Sequence, residues 1–146
     1  MLAPEDLEEP YRDWRRAILV AGCIAAAWAA AAFGDPRAYQ AADPGGAALL
    51  RGVAWFHAAI IALGLILLWL RLRYRLSAPW IAGYFGCTWL VVAANMLIWQ
   101  LTEIVPAAIA FYAGQAFLLI LAWHDRAPAP LRDLDHPPIT YRPPPP

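Results

Sequence analysis

The sequence contains no lysine: its eleven basic residues are all arginine, balanced by eleven acidic ones to a net charge of zero. Nothing in that balance suggests the basic surface on which nucleic-acid binding depends. Charge of either sign is scarce, at 15% of residues against about 25% in ordinary soluble domains. Cysteine is scarcer still, with two residues and no CxxC or Cys/His spacing, which argues against a disulfide scaffold and a zinc site. Also missing are a nucleophile–base pair, a phosphate loop and a metal-ligand cluster, so no enzyme class has a motif here.

What remains is apolar. Hydrophobic residues make up 62% of the 146, and that excess calls for a non-aqueous solvent. Four runs are long enough to cross the roughly 30 Å hydrocarbon core of a bilayer, at about 17–33, 49–70, 80–101 and 104–123. The expected fold is therefore all-α and integral to the membrane, with four antiparallel helices in a domain spanning 17–124. GDPRAYQAADPGG is dense in turn formers and reads as the one sizeable loop. RLRYRLSAP is a short basic connector whose Pro79 can open the third helix, and Pro106 falls in the first turn of the fourth. Hardly any chain separates Leu101 from Ile104, so the last two helices must form a tight hairpin.

Arginine placement sets the expected orientation, because positive residues beside helix ends stay on the cytoplasmic side. Nine arginines (12, 15, 16, 71, 73, 75, 126, 132 and 142) fall on the side of the termini and only Arg37 and Arg51 on the other. Both termini are thus expected in the cytoplasm, in a bacterial-type inner membrane. Trp14, Trp55, Trp69, Trp80, Trp99 and Trp123 lie near helix ends and read as interfacial anchors. Residues 1–16 form an acidic cytoplasmic segment, expected on the membrane surface or partly disordered. Residues 125–146 form a proline-rich cytoplasmic tail, expected to be extended and either free or docked on a partner.

The stretch WRRAILVAGC mimics a processing signal, with twin arginines and a small-apolar tetrapeptide ending in Cys23. Only Ala17 to Gly22 separates Arg16 from that cysteine, however, and IAAAWAAAAF follows it. A lipoprotein signal needs a longer apolar core before the cysteine and a polar chain after it. The stretch therefore reads as the cytoplasmic start of a retained helix.

Polar residues within membrane helices are costly enough to mark function by default. Counted from the outer side, His57 and Tyr112 each lie eight residues into their helices, Asn95 lies six residues in, and Gln115 is one turn deeper than Tyr112. These four are candidates for a ligand site, receiving a quinone, a chlorophyll-type pigment, a lipid or a haem shared with a partner through His57. The plainer reading of the same residues is interhelical hydrogen bonding. A haem held by two histidines of this chain is disfavoured, since His57 and His124 differ in depth by roughly 18 Å. No catalytic residue and no metal ligand set is expected.

Small residues give a more distributed signal. Gly22, Ala26 and Ala30 repeat every fourth position on helix one, and Gly83 and Cys87 do so on helix three. Such rows let helix backbones approach closely. Helix one holds more alanine than packing within four helices requires, which points to a further neighbour along its face. The leading expectation is a non-catalytic accessory or scaffold subunit of a larger respiratory, photosynthetic or transport complex. That partner would be engaged through the helix-one face and the proline-rich tail. The alternative is a ligand-binding membrane protein built around His57.

Overall fold

A computed structural model describes residues 9–34, 43–72 and 76–125. Among these residues the chain is helical, with α1 at Glu9–Phe33, α2 at Pro44–Arg71, α3 at Ala78–Trp99 and α4 at Ile104–His124. All four are long and apolar enough to cross a membrane. Within hydrocarbon a backbone must satisfy its own N–H and C=O groups, and an unbroken helix does so. A 21-residue helix such as α4 rises about 31 Å, one bilayer core, whereas the 28 residues of α2 exceed it and call for tilt or protrusion.

The helix ends depart from the expected boundaries for local reasons. Helix α1 begins at Glu9 instead of Ala17, so part of the segment expected to lie on the surface or be disordered continues the helix. Helix α2 begins at Pro44, five residues early, which takes the PGG of the expected loop into its first turn. Asp43 is the cap: its Oδ2 accepts from the Gly46 N–H at 3.0 Å, and Pro44 loses nothing at a position whose N–H has no helical partner. Helix α3 starts at Ala78 behind Ser77, with Pro79 in its first turn as expected.

The hairpin between α3 and α4 is as tight as expected, although α3 stops at Trp99 rather than Leu101. The Leu101 N–H donates to the Ile98 carbonyl at 3.0 Å, and the Thr102 N–H to the Leu97 carbonyl at 3.0 Å. These paired bonds form a Schellman closure, which needs a left-handed residue after the helix. Leu101 fills that place at φ 60°, and Glu103, with φ 49° and ψ 44°, is a second left-handed residue just before α4.

Helix α3 is the hub, packing on α1, α2 and most extensively on α4. Its close approach to α4 occurs at Gly114, where a Cβ would lie 2.6 Å from Val91 Cγ2 and 3.5 Å from the Cys87 carbonyl oxygen. Its approach to α1 occurs at Gly22, where a Cβ would enter the space filled by the Trp89 indole. The same indole donates from Nε1 to the Leu19 carbonyl at 3.3 Å. Near the far end of α1, Gln100 donates from Nε2 to the Ala31 carbonyl at 3.3 Å. The core is layered along the bundle: Leu19, Leu68, Leu72 and Phe85 at one end, Val91, Ala94 and Phe111 centrally, Ala54, Ile98 and Ala107 at the other. The proline-rich segment 126–146 lies outside the described residues.

Candidate functional site

The candidate polar site begins with His57, buried on α2 at 4% exposure. Its ring stacks on Phe111 of α4, with centroids 4.0 Å apart and planes 19° from parallel. The neighbouring Tyr112 meets it edge-on, and Tyr112 Oη lies 3.4 Å from His57 Nε2, a long hydrogen bond across the helices. Tyr112 is itself 61% exposed, so the pair runs from the bundle interior to its outer surface. His57 Nδ1 is buried without a hydrogen-bond partner, as is the Oδ1 of half-buried Asn95.

The structure thus joins two of the four residues grouped by depth, His57 and Tyr112. Asn95 and Gln115 are half-buried and are not tied to that pair by a hydrogen bond. His57 can stabilise the α2–α4 contact, and it retains one buried nitrogen able to donate or accept. His124 is exposed at the end of α4, where its Nδ1 lies 2.9 Å from the Ile120 carbonyl oxygen. Among the described residues no three of His, Cys, Asp or Glu gather as a metal would require. Cys23 and Cys87 are free thiols, half-buried, with Cys23 packed against the layer holding Leu19 and Phe85.

The small-residue rows divide between the faces of α1 and α3. Gly22 faces Trp89, Ala30 is buried at 6% exposure, and Ala26 between them is half-buried. Gly83 faces Leu121 of α4, and the carbonyl of Cys87 lies over Gly114. One position round α1, the row Ala21, Ala25 and Ala29 is exposed together with Ile24 and Trp28.

A polar cluster that the sequence reading did not assemble closes one end of the bundle. Arg71, the last residue of α2, donates from Nε to Asp125 Oδ2 at 2.9 Å and from Nη2 to Oδ1 at 2.8 Å. Tyr84 of α3 donates from Oη to the same Oδ2 at 3.0 Å. Asp125 caps α4, so three helices meet on one carboxylate. The donors of Arg71 foremost, and then that of Tyr84, hold the Asp125 carboxyl below the usual aspartate range, while its burial pulls the other way. The antiparallel count already places Arg71 and Asp125 at the same end, which was the available signal. Two tryptophans read as anchors also carry guanidinium groups: Arg16 stands 4.7 Å over the Trp69 ring and Arg51 6.0 Å over Trp99.

Comparison with known proteins yields no relative: no family model matches the chain, and no curated protein or solved structure is similar to it.

Proposed function

We propose that this chain is a non-catalytic accessory subunit that scaffolds a larger membrane assembly, of the respiratory, photosynthetic or transport kind. The observation that carries this reading is the exposed row of Ala21, Ala25 and Ala29, flanked by Trp28 at 72% exposure. The inward row from Gly22 to Ala30 already serves α3, so the outward row is surplus to the fold. A lipid-facing helix has no need of small side chains, whereas a neighbouring helix can pack closely on them. The orientation follows the arginine distribution, with both termini cytoplasmic in a bacterial-type inner membrane. The proline-rich tail supplies a second contact on the partner's cytoplasmic surface.

The test is extraction in mild detergent followed by native sizing and mass spectrometry. Wild type should travel with a stoichiometric larger partner, and the double variant Ala25→Leu, Ala29→Leu should be released as a folded free chain. Deleting 131–146 should weaken the association. A wild-type chain found solely as a free protein would overturn the reading.

A second reading is favoured by the unpartnered His57 Nδ1, which leaves buried hydrogen-bonding capacity beside Phe111 and Tyr112. On this reading the chain holds a quinone, pigment, haem or lipid at His57. Its test is the absorption spectrum and organic extract of the purified protein: a bound molecule lost in His57→Ala would carry it past the scaffold reading.

A further inference from the structure

Arg16 sits where an apolar helix meets the polar end of the bundle, and its side chain is 12% exposed. Its charge has two partners. The guanidinium lies 4.7 Å over the Trp69 ring, and Nη1 stands 3.6 Å from Asp13 Oδ1, itself 70% exposed. A ring face satisfies charge but accepts no strong hydrogen bond, and an exposed pair at that distance is weak. Nε and Nη2 are buried without any hydrogen-bond partner. Those two nitrogens form the edge of the fork that takes two oxygens of a phosphate or carboxylate in parallel.

The carboxylate of Asp125 is at the same end of the bundle but is occupied by Arg71 and Tyr84. Trp69, on which Arg16 rests, also lines a groove on the outer face of α2 with Leu65, Ile66 and Leu70. The groove is apolar along its length, shallow and open on its outer side, with a volume of about 220 Å³. Within one turn of helix, then, a slot for hydrocarbon adjoins a cation with unfilled donors.

We propose that Arg16 and the Leu65–Leu70 groove form a binding site for one anionic phospholipid. Its phosphate takes the Arg16 fork and an acyl chain lies along Leu65, Ile66 and Trp69. The phosphate displaces the weak contact to Asp13 as the guanidinium shifts to meet it. The headgroup then sits at the height of Trp69 and Arg71, where an interfacial tryptophan and the end of α2 already mark the edge of the hydrocarbon. A zwitterionic lipid fills the groove equally well but brings its own cation beside Arg16.

The experiment is native mass spectrometry of the full chain in mild detergent, titrated with phosphatidylglycerol or with phosphatidylcholine of the same acyl chains. Wild type should retain phosphatidylglycerol about five-fold more tightly, as one interfacial arginine predicts. Arg16→Gln should abolish that preference and Arg51→Gln, at the other end of the bundle, should keep it. Ile66→Trp fills the groove from a lipid-facing position and should weaken both lipids in a chain whose helical circular dichroism is unchanged. That variant serves as the test if Arg16→Gln fails to fold. Equal retention of the two lipids by wild type would overturn the site. So would equal losses in Arg16→Gln and Arg51→Gln, or competition by inorganic phosphate alone, which would mean a free-anion site.

Discussion

Arg71 grips Asp125 through two parallel bonds, 2.9 Å from Nε and 2.8 Å from Nη2, and so ties the last residue of α2 to the cap of α4. Removing one partner of a buried pair strands the other, at about 3–5 kcal/mol in a dry interior. Arg71 keeps 18% of its side-chain surface, so we expect Arg71→Ala or Asp125→Ala to cost about 2–3 kcal/mol. Tyr84→Phe should cost less, about 1.5–2 kcal/mol, the lower end for one bond to a charged acceptor. Reversible unfolding in mixed detergent micelles measures all three, and an Asp125→Ala chain as stable as wild type would contradict this account.

The same carboxylate makes stability depend on pH. Its folded-state pKa lies below the ordinary 3.8 chiefly because Arg71 donates to it. The stabilisation is therefore complete above the unfolded-state value and is lost as pH falls through the lower folded one. Between pH 7 and pH 3 wild type should begin to lose stability as the medium passes below about 4, the ordinary aspartate value. Asp125→Asn should start lower and lack that component of the slope.

Gly22 is the seat of the Trp89 indole. Any Cβ there must push the ring off α1 and break its bond to the Leu19 carbonyl. Gly22→Ala should destabilise the bundle by about 1–3 kcal/mol, the usual cost of overpacking. Trp89→Leu in the same chain should recover part of the loss, and a Gly22→Ala protein with unchanged stability and tryptophan emission would refute the contact.

Glu103 occupies left-handed backbone with an exposed side chain that makes no capping bond. Glycine meets no steric penalty in that conformation, so Glu103→Gly should raise stability by about 0.5–1 kcal/mol. Glu103→Val should lower it, because a β-branched residue is poorest there. The melting temperatures of the two variants should lie on opposite sides of wild type.

His57 stacks like a phenyl ring on Phe111 and leaves Nδ1 without a partner. Phenylalanine retains the stack and removes the unmet polar atom, at the loss of one 3.4 Å bond to Tyr112. His57→Phe should therefore change stability by less than about 1 kcal/mol in the protein as purified. A much larger loss would mean that Nδ1 has a bound partner in the membrane, as the ligand reading requires.

The spanning helices are legible in the sequence because crossing hydrocarbon demands an apolar run of fixed length, and Leu101 to Ile104 leaves room for nothing but a hairpin. The start of α2 is not, because Asp-Pro-Gly-Gly is an equally good turn and becomes a helix cap once Asp43 turns back onto Gly46. Depth counting brings His57 to Tyr112 because antiparallel helices share one rise per residue. It says nothing of rotation about the axis, so it does not tell which residues at similar depth will bond, and neither Asn95 nor Gln115 bonds to the pair. The Arg71–Asp125 clamp requires pairing residues 54 positions apart, a relation that helix parity permits but no local pattern announces.

Because α3 supplies the surface on which α1 and α2 each pack, the order of synthesis runs against the order of assembly. A nascent chain that has just delivered α2 holds a glycine seat at position 22 with no indole to fill it, and an Arg71 whose carboxylate is 54 residues away in a helix not yet made. The packing surfaces of α1 and α2 are completed only when the third helix joins them.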